Sequence, residues 1–396
     1  MPDAVIVSAC RTAIGTAGKG TLADTSAFEL ADAVVGAAVK TTGLPAESFD
    51  DVVLGEALYG GGVVARHAAL TAGLTEAPGA ALNRHCASGM SAVQLAAGEI
   101  IAGMADAAIA GGVQSMSTGP VSRWRVPGTD DWQEPWISPS HPDSAEAPNL
   151  DMSITVGWNA AQLAGVSREE MDAWAVRSHH RAIAAIDEGR FADEIVPLQV
   201  RAGGARDGST VTFEVDEHPR RGSTVEKLAT LKPLHPEIEG FSITAGNSSG
   251  INDGAAALVL TSDAFAEAHG LRPLAVVRGW ASVGVDPVET GLAPTKAIPK
   301  ALRRAGLALD DVDLVEINEA FAAMCVASTR ILGLDPEIVN VSGSGCSLGH
   351  PVAATGARML VTLIHELGRR GGGLAVAAMC AGGGMGSATV VEVLAP

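Results

Sequence analysis

Three residues with reactive side chains lie among small residues in this sequence. Cys86 lies in NRHCASGM, His350 in SLGHPVAATGAR and Cys380 in MCAGGGMG. Small neighbours leave room for a second molecule to approach a thiol, whereas a cysteine that only fills a core behaves as a small buried hydrophobe. A thiol nucleophile, an imidazole base and a second proton-moving thiol are the groups that acyl transfer to carbon or sulfur requires. The pattern therefore indicates acyl-transfer chemistry.

The segment after Cys86, ASGMSAVQLAAGEIIAG, predicts an amphipathic helix that begins beside the thiol. The free amides and the positive dipole end of a helix start favour a thiolate there. A buried structural cysteine is the alternative, but the polar NRH before Cys86 is unusual for a core position. His350 is the expected base, because an unperturbed imidazole titrates near neutrality. His85 is a rival base, yet neighbours on an extended segment point in opposite directions, so we expect His85 to face away.

Cys380 ends an apolar run and enters AGGGMG. The glycines from Gly382 allow backbone amides to turn inward and donate to an oxyanion. A nucleotide-binding glycine loop is the rival interpretation; it is disfavoured because GMGSATVVEVL continues as a strand and opens no helix. Asn318 lies in INEAFAA, where its amide either caps a helix or orders a water and polarises a carbonyl.

The composition excludes several classes of protein. The 396 residues carry 27 Lys and Arg against 45 Asp and Glu, a net charge of −18, which disfavours general nucleic-acid binding. Five scattered cysteines without a CxxC pair predict neither a disulfide framework nor a metal site. The start, MPDAVIVSACRTAIG, runs directly into a strand-like segment, and we find no apolar stretch of membrane-spanning length. We therefore expect no membrane insertion and a reducing, cytoplasmic location.

Short β-branched runs alternate with longer alanine-rich runs, which predicts an α/β fold with mostly parallel sheets. Strands are predicted at residues 4–8, 51–54, 107–110, 255–260, 275–277, 313–317, 374–378 and 389–393. Helices are predicted at residues 27–40, 88–102, 298–305, 320–332 and 352–366.

An internal repeat indicates a duplicated fold. GLPAESFDDVVLGEA at residues 43–57 aligns without gaps on GLALDDVDLVEINEA at residues 306–320, and His350 follows Cys86 at almost the same offset. Loop composition from residue 119, followed by a helix that a Ser167–Glu170 capping box starts, predicts an insertion. The predicted domains are residues 1–118 with 248–270, the insertion 119–247, and residues 271–396.

These motifs resemble those of the thiolases. NRHCASG, GNSSGINDGAA, NEAFA, GHPVAATGAR and CAGGGMG stand in the order and spacing of acetyl-CoA acetyltransferases and 3-ketoacyl-CoA thiolases, and VIVSACRTAIG and GGVQSMS fit too. The resemblance implies a thiolase fold: two duplicated α-β-α halves forming a five-layered core, plus an inserted loop domain. It also implies a homodimer that often pairs into a homotetramer, CoA as a substrate, no cofactor or metal, and a role in fatty-acid or lipid metabolism such as β-oxidation.

The resemblance also implies a role for each reactive residue. Cys86 attacks the substrate and becomes acylated, while His350 takes the thiol proton. His350 and a water held by Asn318 form one oxyanion hole. Cys380 moves the proton at the α-carbon of the second acyl-CoA. The backbone amides of Cys86 and Gly382 form the second oxyanion hole.

Other polar residues are candidates for binding CoA. Arg220, Arg221 and Lys227 are cations in an acidic chain, so they are either solvated surface or phosphate ligands. The turn TAGNSSGINDGAAA either only connects two elements or lines a pocket with Ser249. The resemblance places Ser249 along the pantetheine arm of CoA and Arg220 at the nucleotide end, and we group Lys227 with Arg220.

Two segments depart from the family pattern: GGAIALGHP reads GSGCSLGHP, and MG-x-TAEN reads MSITVGWN. They predict an acyl group longer or bulkier than acetoacetyl.

A decarboxylating ketoacyl synthase would normally have a histidine or asparagine in place of Cys380, and a non-catalytic acyl-CoA-binding scaffold would lack Cys86 or His350. The presence of all three favours a thiolase, which passes an acyl group through an acyl-cysteine to CoA (thiolysis of 3-oxoacyl-CoA) or to acetyl-CoA (Claisen condensation).

Overall fold

Strands and helices alternate along most of the chain in this computed structural model, which describes residues 2–59, 62–201 and 208–396. The strands are β1 (Ala4–Arg11), β2 (Gly15–Thr16), β3 (Asp51–Gly55), β4 (Gly79–Leu82), β5 (Ala107–Gln114), β6 (Trp124–Arg125), β7 (Trp132–Gln133), β8 (Leu198–Arg201), β9 (Thr210–Phe213), β10 (Asn252–Ser262), β11 (Ala275–Gly284), β12 (Leu314–Ile317), β13 (Gly373–Ala381) and β14 (Met385–Val393). The helices are α1 (Ala27–Thr42), α2 (Val63–Thr71), α3 (Ser88–Ile101), α4 (Asn159–Ala164), α5 (Arg168–Asp187), α6 (Val225–Ala229), α7 (Asp263–Ala268), α8 (Pro294–Ala305), α9 (Ala322–Leu332), α10 (Gly345–Leu348) and α11 (Thr355–Arg370).

The order of the strands confirms the duplication. The main sheet runs β12-β13-β14-β11-β1-β10-β5-β3-β4. Outward from the central β11–β1 pair, β14, β13 and β12 on one side correspond to β10, β5 and β3 on the other. The repeat seen in the sequence falls on β3 and β12, and each of Cys86 and His350 precedes a long helix, α3 or α11.

The expectation of mostly parallel sheets was wrong. The parallel pairs are β3–β4, β3–β5 and β12–β13, whereas the pairings of β1 with β10 and β11, of β10 with β5 and of β14 with β11 and β13 are antiparallel. The reason lies in the connections: a short turn joins β13 to β14, and the long insertion separates β5 from β10. Neither is the helical crossover that returns a chain parallel to itself.

The helices form the layers that the sequence predicts. Helices α1 and α2 cover the outer face of the N-terminal strands, and α8 covers the C-terminal strands. Helices α3 and α11 lie between the two sets of strands and share one apolar core with both. This arrangement is a five-layered α-β-α-β-α core.

The two central helices approach each other closely because both carry glycine at the contact. A Cβ on Gly89 of α3 would lie 2.6 Å from the carbonyl oxygen of Ala353, and one on Gly356 of α11 would lie 2.5 Å from the Cβ of Met90. The Gly89 N–H donates to that Ala353 carbonyl oxygen at 2.9 Å. Residues with a Cβ would force the helices apart, and with them the loops that carry Cys86 and His350.

The insertion is tied to the core by buried polar contacts. The Arg11 guanidinium of β1 donates to Glu194 Oε1 at 2.6 Å and to both carboxylate oxygens of Asp216 at 2.7 and 2.9 Å. Helix α5 begins at the predicted Ser167–Glu170 capping box and packs on α9. The domain boundaries stay a prediction, and residues 202–207 of the insertion lie outside the described residues. Within the described residues, no helix is long and apolar enough to span a membrane.

We predict that Gly356→Ala lowers the free energy of unfolding by about 2 kcal/mol, because the added methyl group overlaps Met90. Gly36→Ala in α1 is the matched control. Its Cβ meets nothing within 4 Å, so better helix propensity should stabilise the protein by about 0.5–1 kcal/mol. Urea denaturation of both variants measures this difference, and an equal stability for the two would contradict the close-contact interpretation.

Candidate active site

Cys86 lies in a tight turn immediately before α3. The helix begins at Ser88, whose hydroxyl donates to the His85 carbonyl oxygen at 2.6 Å and accepts from the Arg84 N–H at 2.9 Å. His85 has a φ of 46°, in the left-handed region that residues with a Cβ seldom adopt. The turn therefore holds the nucleophile candidate at the helix start that the sequence predicts.

The prediction that His85 faces away from Cys86 was wrong. Both residues line the same pocket. Alternation of side chains applies to extended backbone, and the left-handed conformation at His85 breaks it. Burial, with the nearby His141, lowers the pKa of His85, so its ring is neutral at pH 7.

The thiol of Cys86 is protonated at rest. Burial raises its pKa to about 11, although the backbone N–H groups of Gly382 and of Cys86 itself point at the sulfur and lower it. The thiolate expected from the helix start is therefore wrong for the free protein. The desolvation free energy of a thiolate at this site exceeds the stabilisation that the two amides and the helix start provide.

His350 is a neutral base with its lone pair on Nε2. Burial, with the charge of Arg358, lowers its pKa to about 3. The Thr355 hydroxyl donates to the Pro351 carbonyl oxygen at 2.9 Å, and Thr355 Oγ1 lies 2.7 Å from His350 Nδ1. With the hydroxyl proton directed to Pro351, Nδ1–H is the donor to Thr355. This tautomer places the lone pair on Nε2, where it can accept a proton.

Asn318 lies beside the imidazole and does not cap a helix. Its Nδ2 is 3.4 Å from His350 Nε2, and its buried Oδ1 has no hydrogen-bond partner in the described chain. Helix α9 starts later, after Phe321. The next residue, Glu319, is fully buried and accepts from Trp174 Nε1 at 2.9 Å, Asn340 Nδ2 at 2.9 Å and other donors. Glu319 therefore fixes the loop that carries Asn318.

Cys380 lies at the end of β13, buried, with its Sγ 3.6 Å from Met324 Sδ. Burial, followed by the charge of Cys86, raises its pKa far above the ordinary value, so Cys380 is a thiol at neutral pH. Gly382 follows in the turn to β14, and its N–H is the one that points at Cys86.

Cys86 and Gly382 line a pocket of about 490 Å³. Its other walls come from residues 56–58 after β3, from Asn83 and His85, from the end of β5 and from residues 122–152 of the insertion. Val352, two residues after His350, also contacts it. The insertion therefore forms part of the pocket wall near Cys86. The pocket volume is within the usual range for small-molecule sites.

Arg220 and Lys227 lie together around a second cavity of about 320 Å³. Arg221 is not part of it and pairs with Asp187 at the surface. Gly246 lines this cavity, and the chain then passes half-buried Ser249 to Ile251, which forms a β-bridge with His350. One polypeptide segment therefore runs from the cationic cavity to the base.

Sequence reasoning missed several residues at the site. Thr355 orients His350, and Asn252 Oδ1 accepts from the His350 N–H at 3.0 Å. Gln114 forms part of the pocket wall. Thr355 and Asn252 lie inside GHPVAATGAR and GNSSGINDGAA, so the motifs that identified the site contain them. Their roles depend on side-chain contacts that spacing does not reveal.

A half-buried thiol, a neutral imidazole and a second, buried thiol in a duplicated five-layered core define a thiolase-type acyltransferase. The chain matches the thiolase N-terminal domain over residues 4–264 and the thiolase C-terminal domain over residues 271–393. It belongs to the thiolase family. Neither a ketoacyl synthase nor a non-catalytic scaffold is favoured by these matches.

Named relatives agree with this assignment. The acetyl-CoA acetyltransferase of Pseudomonas aeruginosa is 44% identical, over 98% of both chains, and that of Escherichia coli is 42% identical over the full length of both. Among solved structures, the Bacillus anthracis acetyl-CoA acetyltransferase superposes with a TM-score of 0.91 at 42% identity. Human mitochondrial 3-ketoacyl-CoA thiolase superposes with a TM-score of 0.90 at 36% identity. Each of these two alignments covers 100% of this chain and 99% of the other.

We predict that alkylation of Cys86 by iodoacetamide is slow at pH 7 and accelerates by about tenfold per pH unit up to pH 9.5. Because burial raises the thiol pKa to about 11, the thiolate fraction is small at neutrality and grows with pH. Peptide mass spectrometry of timed samples measures the rate, with Cys86→Ser as the control. A rate that levels off near pH 7 would show a resting thiolate instead.

A second prediction concerns the tautomer of His350. Thr355→Val removes the acceptor for Nδ1–H, so the rate of acyl-enzyme formation should fall by roughly ten- to a hundredfold. Thr355→Ser retains the hydroxyl and should stay within about threefold of the parent. Rapid-quench measurement of acylation separates this effect from CoA binding, because the KM for CoA should not change. Equal losses in both variants would assign Thr355 a packing role only.

Proposed function

We propose that Cys86 is the nucleophile, with His350 as its base. As the sulfur attacks the C3 carbonyl of a 3-oxoacyl-CoA, His350 Nε2 takes the thiol proton. The proton moves only when the substrate is bound, because burial keeps both groups neutral beforehand. The developing oxyanion accepts from the imidazolium and from a water held by Asn318, whose unpartnered Oδ1 supports a polar site there.

Cleavage of the C2–C3 bond then leaves an acyl thioester on Cys86 and the enolate of acetyl-CoA. Cys380 donates its proton to C2, which releases acetyl-CoA. The N–H groups of Cys86 and Gly382 hold the oxygen of the acyl thioester, an interaction of about 3 kcal/mol for each well-placed donor. The thiol proton of free CoA then restores the Cys380 thiol by way of solvent, and the CoA sulfur attacks the acyl group. The Cys86 sulfur leaves and takes back the proton held on His350, and acyl-CoA departs. The reverse sequence is a Claisen condensation.

The two ends of CoA fit different parts of the protein. Arg220 and Lys227 are exposed cations around the 320 Å³ cavity, which suits the phosphates of the nucleotide. Ser249 lies on the segment that runs from this cavity to His350, which suits the pantetheine arm. CoA is a substrate in this scheme. No redox or metal cofactor enters it, because the reaction moves protons and an acyl group with no net oxidation.

The pocket in front of Cys86 supports an acyl group larger than acetyl. About 490 Å³ is more space than two carbons need, and the segment 152–159 that departs from the family pattern begins at a residue of its wall. We therefore place the enzyme in the degradation of longer or bulkier 3-oxoacyl-CoA substrates, as in β-oxidation or related lipid metabolism.

The surface supports assembly into dimers and tetramers. Strand β4 ends the main sheet, and an open edge can pair with a second copy. The insertion exposes Trp124 and Trp132, at 45% and 53%, on the β6–β7 hairpin. Exposed aromatic side chains of this kind mark protein–protein contacts. All five cysteines are free, which suits a cytoplasmic location.

One observation carries the proposal: the sulfur of Cys86 faces a pocket while two backbone amides point at it. Cys86→Ser should lower CoA-dependent cleavage of 3-oxoacyl-CoA by at least about 10³-fold, because the acyl carrier is lost. Loss of the 3-oxoacyl-CoA enolate absorbance measures cleavage, and mass spectrometry after brief mixing with acyl-CoA should find the acyl group on the Cys86 peptide.

Cys380→Ser is the matched control for this experiment. It should still exchange labelled CoA into a simple acyl-CoA, since that half-reaction uses Cys86 and His350 and moves no proton at carbon, but it should lose carbon–carbon bond cleavage. Cleavage that survives in Cys86→Ser, or an adduct found on Cys380 in its place, would reassign the nucleophile.

A further inference from the structure

The pocket in front of Cys86 contains a buried polar group without a partner. Gln114, at the end of β5, is 0% exposed, and its Oε1 has no hydrogen-bond partner in the described part of the chain. Its Nε2 donates to Met116 Sδ at 3.4 Å, and a thioether is a weak acceptor. Turning the amide over would only leave Nε2 unpartnered. A buried amide in this state is costly unless something supplies the missing partner.

The rest of the pocket limits what that partner is. Apolar side chains form much of the wall: Leu58, Met116, Trp136, Ile137, Leu150 and Met152. These suit a hydrocarbon chain. Because Gln114 is fully enclosed, whereas Ile137 and Leu150 are 55% and 71% exposed, its amide belongs to the inner wall and theirs to the outer one. A polar group that reaches Gln114 therefore sits on the acyl chain.

The charge of the pocket excludes an acidic acyl group. Within the described chain, no lysine or arginine lines it. The buried carboxylate of Glu56 does line it and accepts from the Tyr59 N–H. His85 is neutral at pH 7 because burial, with His141, lowers its pKa. A substrate carboxylate would lie beside the Glu56 carboxyl group, and no lysine or arginine of the described chain stands in the wall to pair with it.

We propose that this pocket selects neutral 3-oxoacyl chains that carry a hydroxyl group, whose O–H donates to Gln114 Oε1. The inference rests on the proposed thiolase reaction and names its substrate class. An unsubstituted chain of the same length leaves the amide unpaired, and a site built to hydrogen-bond a hydroxyl discriminates against the analogue that lacks it.

The test is a panel of matched CoA esters in the cleavage assay. The probes are 3-oxohexanoyl-CoA, 6-hydroxy-3-oxohexanoyl-CoA and 3-oxoadipyl-CoA, with the 3-oxooctanoyl and 8-hydroxy-3-oxooctanoyl esters as a longer pair. At the better-fitting length, kcat/KM should be about tenfold higher for the hydroxylated ester than for the unsubstituted one. The adipyl ester should be the poorest substrate.

Variants at Gln114 attribute the preference to its amide. Gln114→Leu should bring kcat/KM for the hydroxylated ester to within twofold of that for the unsubstituted ester. Gln114→Glu retains an acceptor, so the ratio of the two kcat/KM values should stay above twofold. Gln162→Leu, the same change at an exposed position of α4, is the control and should leave the ratio at its parental value.

Equal kcat/KM for hydroxylated and unsubstituted esters at both lengths, in the parent enzyme, would overturn the proposal even if no Gln114 variant folds. A preference that persists in Gln114→Leu would overturn the role of the amide. Failure of the thiolase mechanism itself looks different: no ester would be cleaved in the presence of CoA, and no acyl group would appear on Cys86.

Discussion

The active site depends on one contact, the close approach of α3 and α11 at the centre of the molecule. Gly89 donates its N–H to the carbonyl oxygen of Ala353, and Gly356 leaves no space against Met90. Cys86 lies just before one of these helices and His350 just before the other. The duplication therefore brings two equivalent loops together, and each half supplies a different reactive group. Small residues at the crossing are what make the shared centre possible.

Burial of the site also sets the protonation state of every reactive group. Burial raises the pKa of Cys86 and Cys380 and lowers that of His350, so the free enzyme holds two thiols and a neutral imidazole. The site therefore stores no ion pair. In the proposed mechanism, charge develops when the substrate carbonyl is attacked, at a place where backbone amides and an oriented imidazole already point. Donors that are fixed beforehand stabilise such charge without reorganising.

The insertion shapes what the centre acts on. Arg11 holds it to β1 through Glu194 and Asp216, and Glu319 links α5 to the loop of Asn318 through Trp174. These buried polar contacts tie the insertion to the duplicated core. The duplicated core thus places the reacting groups and part of the pocket wall, including Gln114, and the insertion supplies the rest of that wall.

The sequence by itself determined the family and the duplication, and it singled out three candidate reactive residues, because small-residue motifs and a repeat are local patterns. It also placed most long helices and strands within a few residues. Only the tertiary structure decided the direction of the strands, the orientation of His85 and the protonation of Cys86. The sequence alone could also not predict the tautomer of His350, which Thr355 sets, or the unpaired amide of Gln114. Each of these depends on which groups surround an atom in space, and burial or a partner from a distant segment leaves no mark in residue spacing.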